Sequence, residues 1–148
     1  MACQANPILL EEQLKREKPD QRTLDDLLHL VCLQSGVGYD SLIHDSVKVL
    51  FREGAKLTQG SLVSAASHKD PSLIELLLDL GEAKEEWLTI ALCGAVANGE
   101  TASVRLLLER GVNPLVPDPR DPQYTPLKYL ELCNKEHARG EIRDLLVK

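Results

Sequence analysis

Leu106-Leu107-Leu108-Glu109-Arg110-Gly111 repeats a phrase already present as Leu76-Leu77-Leu78-Asp79-Leu80-Gly81 and, more loosely, as Val49-Leu50-Phe51-Arg52-Glu53-Gly54. Each copy is an apolar triplet, two mostly charged positions and a glycine. The triplet suits the last turns of a helix. The glycine suits its stop, where left-handed backbone strains any residue that carries a Cβ. A phrase that returns at near-regular spacing marks repeated supersecondary units, so it decides the fold before any single element does.

Working back from each glycine, the spacing predicts helix pairs. Leu24, Leu27, Leu28, Val31 and Cys32 form one helical stripe, beginning at Thr23 or Asp25 and broken by Gly36-Val37-Gly38. Leu42, Ile43, Val47, Leu50 and Phe51 form the next, from Asp40 or Ser41 to Gly54. Thr58 caps a small-residue helix with Leu62, Val63, Ala65 and Ala66, and Asp70-Pro71 caps a helix striped by Leu73, Leu76, Leu77 and Leu80. A shift of thirty residues carries Leu62, Ala65, Leu76, Leu77, Leu78 and Gly81 onto Leu92, Ala95, Leu106, Leu107, Leu108 and Gly111. Thr101 caps the second helix of this third pair, after a turn at Asn98-Gly99. Upstream, Asn6-Pro7 opens a charged helix that Pro19 ends.

After Gly111 the rhythm breaks. Pro114, Pro117, Pro119, Pro122 and Pro126 forbid a helix and favour an extended, polyproline-like excursion. Thr125-Pro126-Leu127 restarts a helix through Cys133, His137 to Gly140 reads as a polar connection, and Glu141 begins a last short helix.

The whole chain sets limits. Its 148 residues suffice for one domain with a real core. Aromatics are only 3%, so Leu, Ala and Val must fill that core. A net charge of −6 argues against nucleic acid and anionic membranes as partners. No apolar run approaches the roughly 20 residues of a membrane span. The apolar run at residues 8–10 is too short for a signal peptide, so a cytoplasmic or nuclear location is expected. Cys3, Cys32, Cys93 and Cys133 have no paired spacing and read as free thiols.

A helix–turn–helix with a Thr-Pro-Leu start, an Ala-Ala middle, a Gly turn and a Leu-Leu-Leu-x-x-Gly finish resembles the ankyrin repeat. Leu28-His29-Leu30, Ala65-Ala66, Asn98-Gly99, 106–111, Gly111-Val112-Asn113 and Thr125-Pro126-Leu127 carry the likeness, over residues 24–148. The glycines lie 27 residues apart from Gly54 to Gly81 and 30 apart from Gly81 to Gly111. The family's period is about 33, so the residues that would form hairpin fingers are missing between the first three units. The resemblance implies an all-α solenoid of antiparallel helix pairs with those fingers mostly lacking. It is one domain over 1–148, with a capping helix at 1–22 and units at 23–57, 58–84, 85–115 and 116–148. One long finger is expected at 113–124. The likeness also places His29 where the family often has a histidine that bonds backbone between repeats.

No grouping demands catalysis. His29, His44, His68 and His137 fall on different elements, and neither metal spacing nor a phosphate loop is present. The expectation is no catalytic residue, no metal and no cofactor. The acidic runs at 25–26, 82–86 and 118–121 read as solvated faces, the first above all. Glu82, Glu85 and Glu86 also favour a helix N-terminus and, by the resemblance, the binding side, where a basic partner surface fits. Trp87 is either packing or an interface anchor. Tyr39, Arg120 and Tyr124 sit in insertions. Those seven residues are the candidate contacts of a non-catalytic protein-binding module or adaptor. The rival is an enzyme with a small-molecule pocket near Tyr39 and His44 on a helical scaffold. Oligomeric state is left open.

Overall fold

A computed structural model describes residues 7–33, 40–67 and 71–147. They form α1 (Pro7–Arg16), α2 (Gln21–Leu33), α3 (Asp40–Arg52), α4 (Gln59–Ala66), α5 (Ser72–Leu80), α6 (Glu85–Asn98), α7 (Thr101–Glu109), α8 (Pro126–Tyr129), a 3-10 turn at Leu130–Leu132, and α9 (Glu136–Leu146). The all-α expectation holds: among the described residues there is no strand, only one antiparallel bridge between Asp118 and Asp121. Asn6, Tyr39 and Asp70, each used in the sequence reading, lie outside the described residues, as do Cys3 and His68.

The helices gather into two compact units. The N-terminal unit runs to Ala65 and includes Ser72–Ala83; α1 and α2 pack on α3, and α5 packs on α3 more closely than on α4. The C-terminal unit starts at Lys84 and takes in 66–71; α6 packs on α7 and α8, and α7 on α9.

The repeated phrase is repeated in burial. The middle residue of each triplet, Leu50, Leu77 and Leu107, is fully buried. The positions three and four before it are buried as well: Ser46 and Val47, Leu73 and Ile74, Ser103 and Val104. One helix face therefore does the same work three times, as a 3.6-residue period requires. Leu62, Ala65 and Ala66 on α4 and Leu92, Ala95 and Val96 on α6 are the matching buried positions thirty residues apart. The expected stripe on α5 is displaced, however: Leu80 is exposed and Leu76 half-buried.

The stops do not share one cause. Gly54 and Gly111 have φ of 107° and 91°, in the left-handed region. The next amides reach back five residues, Ala55 to the Leu50 carbonyl at 2.9 Å and Val112 to that of Leu107 at 3.2 Å, the Schellman closure that such a glycine permits. Gly81 keeps an ordinary helical bond to Leu77 at 2.9 Å and has no positive φ. What excludes a side chain there is space, since a Cβ would lie 2.8 Å from Leu57 Cβ and 3.1 Å from Phe51 Cε1. The left-handed reading of Gly81 is thus corrected to a close approach.

Caps shift three boundaries. Asp20 opens α2, ahead of Thr23 and Asp25, by accepting the Thr23 amide at 2.9 Å, and its bonds from Thr23 hold the carboxyl below its ordinary value. Thr101 is the first residue of α7 rather than its cap, a place taken by Glu100. His137 to Gly140 is no connection. It lies inside α9, where Ala138, Ile142 and Leu146 are buried at four-residue spacing and Gly140 faces open space. Thr58 caps as expected, accepting the Ser61 amide at 3.3 Å, and Thr125 caps α8 by accepting the Lys128 amide at 3.3 Å.

Candidate functional site

The loop at 113–125 is neither extended nor polyproline-like; it is folded by its own polar groups. Asn113 Oδ1 accepts the Leu115 amide at 2.9 Å, an Asx turn. The Asp118 amide donates to the Tyr124 carbonyl at 2.7 Å, the Asp121 amide to the Asp118 carbonyl at 3.0 Å, and the Tyr124 amide to the Asp121 carbonyl at 3.0 Å. The prolines donate nothing, so the non-proline amides and side-chain acceptors, one buried carboxylate above all, carry the fold of the loop.

That carboxylate is Asp118, only 1% exposed. Reading it as part of a solvated acidic run is therefore wrong: the side chain turns inward because four donors meet it. Oδ1 accepts the Arg120 amide at 2.8 Å and Arg120 Nε at 3.1 Å; Oδ2 accepts Arg120 Nη2 at 2.9 Å and the Tyr129 hydroxyl at 2.6 Å. Burial alone would push the carboxyl up, but the bonds from Arg120 and Tyr129 outweigh it and hold it below the usual aspartate value. The same bond to Asp118, with burial second, pushes the Tyr129 hydroxyl up to about 12. Behind them on α6, burial and then the Asp118 charge push the Cys93 thiol up to about 12, so it stays protonated.

Two rings and two cations complete the cluster. Tyr124 meets Tyr129 at 5.3 Å between ring centroids, tilted by 44°. Lys128 Nζ lies 5.0 Å from the Tyr124 ring centroid, within cation–π range. The Arg120 side chain is 53% exposed beside its buried partner. Arg120 and Tyr124, both singled out in the sequence, are thus brought together around Asp118 and Tyr129, which were not. Tyr129 is eleven residues from Asp118, and no local spacing signals that pair.

Within the C-terminal unit, Glu85, Glu86 and Trp87 are not part of this cluster. Glu85 and Glu86 are exposed in the first turn of α6, and Trp87 beside them is half-buried with Lys84 Nζ 5.3 Å from its ring. Among the described residues no hydrogen bond or ion pair joins them to Arg120 or Tyr124. Glu82 is exposed in the N-terminal unit. Tyr39 lies outside the described residues.

Two histidine environments bear on chemistry. His44 Nε2 meets Ser72 Oγ at 3.2 Å, tying α3 to α5. A nucleophile–base pair also needs a third group that orients the base. Among the described residues His29 Nδ1 is buried without a hydrogen-bond partner, close against Gly60. Elsewhere, Lys135 Nζ pairs with the mostly buried Glu100 at 2.9 Å, linking the entrances of α9 and α7.

Among the described residues no group of three or more His, Cys, Asp or Glu is placed to hold a metal ion. No described helix is long and apolar enough to cross a membrane. Compared with protein-family models, curated proteins and solved structures, the chain matches none.

Proposed function

We propose that this chain is a degenerate ankyrin-repeat protein that acts as a non-catalytic interaction module. It engages a partner protein chiefly through the finger at 113–125, with the first turn of α6 as a second contact. The observation that supports this most is the Asp118 clasp. A buried carboxylate fixes the shape of a loop that leaves Leu115 79% and Val116 41% exposed. A loop ordered in advance loses less entropy on binding, so its apolar tip contributes more to affinity. The shared burial on α3, α5 and α7 supports the repeat reading. Exposed Glu85 and Glu86 beside Trp87 suit a basic patch on the partner at α6. The rival enzyme reading has the Ser72–His44 bond in its favour, and would need a third group to orient that imidazole.

The test is affinity capture from native lysate with the wild-type chain and with Leu115→Asp/Val116→Asp, followed by titration of the captured protein in pure form. The expected result is a partner bound at least about tenfold more weakly by the double variant, as for loss of an apolar anchor. Equal affinity for the two would remove the finger from the interface.

A further inference from the structure

The finger's chemistry differs from that of the α6 entrance, and the difference specifies a ligand. Asp118 engages the Nε and Nη2 edges of Arg120 and leaves Nη1 available to another acceptor on a half-exposed side chain. Because the fork is already held by a buried carboxylate, most of the rotamer entropy of a free arginine is lost before any partner arrives. Lys128, also exposed, hangs from the same cluster through the Tyr124 ring, and that ring is half-exposed. The anion among them, Asp118, is buried and satisfied. Asp121 is half-buried, with Oδ1 accepting the Gln123 amide at 3.2 Å. Two cations with Asp121 close by do not make a polyanion groove. They suit one or two carboxylates. Beside them in the same finger are the apolar Leu115 and Val116, and Leu127 is exposed one residue before Lys128.

We propose that the finger binds an acidic peptide segment of its partner. One carboxylate docks on Arg120, a second is attracted by Lys128 across the Tyr124 ring, and an adjacent apolar side chain contacts Leu115 and Val116. This rests on the finger being the binding surface and adds the chemistry of what it binds.

The experiment is selection of a random peptide library on the immobilised wild-type chain, then fluorescence anisotropy of the selected peptides with wild type, Lys128→Glu, Arg120→Lys and Leu115→Asp. Circular dichroism checks that each variant keeps its helices. The expected peptides carry Asp or Glu next to an apolar residue. They bind at least about tenfold more weakly to Lys128→Glu, weaken less for Arg120→Lys, and release as salt is raised. Peptides that lack acidic residues, or that ignore Lys128→Glu, overturn the proposal; if Leu115→Asp still abolishes their binding, the finger remains the surface. Peptides unaffected by all three variants, or no selected peptide at all, overturn both readings.

Discussion

Asp118 sits between two prolines and is reached by four donors, two of them on the charged Arg120 fork and one the Tyr129 hydroxyl. Bonds to a carboxylate are worth about 1.5–3 kcal/mol each when buried, and less where, as at Arg120, water screens one partner. Tyr129→Phe is therefore expected to destabilise the chain by about 1.5 kcal/mol, read by chemical denaturation. Asp118→Asn, which also strips Arg120 of its counter-charge, should cost more than Tyr129→Phe alone. The pH dependence follows from the directions of the shifts. Asp118 titrates lower when folded than the roughly 3.9 of a free aspartate, so its stabilisation is present above about pH 4 and lost as pH falls further. Tyr129 titrates at about 12 when folded, against 10.0 for a free tyrosine, so its stabilisation is present below pH 10 and lost as pH rises toward 12. Tyr129→Phe should flatten that alkaline limb; an unchanged limb would mean that the hydroxyl does not bond Asp118.

At the scale of the element, the glycines separate by cause. Gly111 has positive φ, but a Cβ added there would meet nothing within 4 Å, so Gly111→Ala should cost only backbone strain, about 1 kcal/mol. Gly99 has φ of 70° and would also meet Lys135 Cδ at 2.9 Å and Cys133 Sγ at 3.0 Å. Gly99→Ala should therefore cost about 2–3 kcal/mol, strain and overpacking together. Gly81→Ala suffers the packing penalty alone, against Leu57. Melting temperatures of the three variants check the order, with Gly111→Ala mildest. This is also where legibility ends for the helices. Triplet and glycine are local signals, so Leu50, Leu77 and Leu107 can be read from spacing. Whether a glycine is kept for φ or for space depends on a neighbour such as Leu57, which is 24 positions away from Gly81. Gly140 misled for the mirror reason: on an exposed helix face a glycine costs about 1 kcal/mol and need not break anything.

At the scale of the whole molecule, helices and finger were unequally legible. Apolar periodicity specifies an all-α chain because each helix is chosen by residues three and four apart. The finger is specified by Asp118, Arg120 and Tyr129, which meet only once α8 is in place, and proline count alone pointed to the wrong backbone. Burial also settles two of the thiols. Cys32, pushed up to about 12 by burial, and Cys93, pushed there by burial and then by Asp118, should resist maleimide in the native chain at pH 8 and react on denaturation, as labelled peptides in mass spectra would show. Rapid native labelling of Cys93 would mean that the cluster around Asp118 opens freely.

The most direct measurement is hydrogen exchange at the amides of Asp118, Asp121 and Tyr124 in the chain without a partner. Each donates inside the finger, at 2.7, 3.0 and 3.0 Å respectively. A loop ordered by its own clasp predicts exchange at least about tenfold slower than in an unstructured peptide, with that protection lost in Asp118→Asn. Exchange at unstructured rates in the wild type would contradict the ordered finger, and with it the surface on which the proposed function rests.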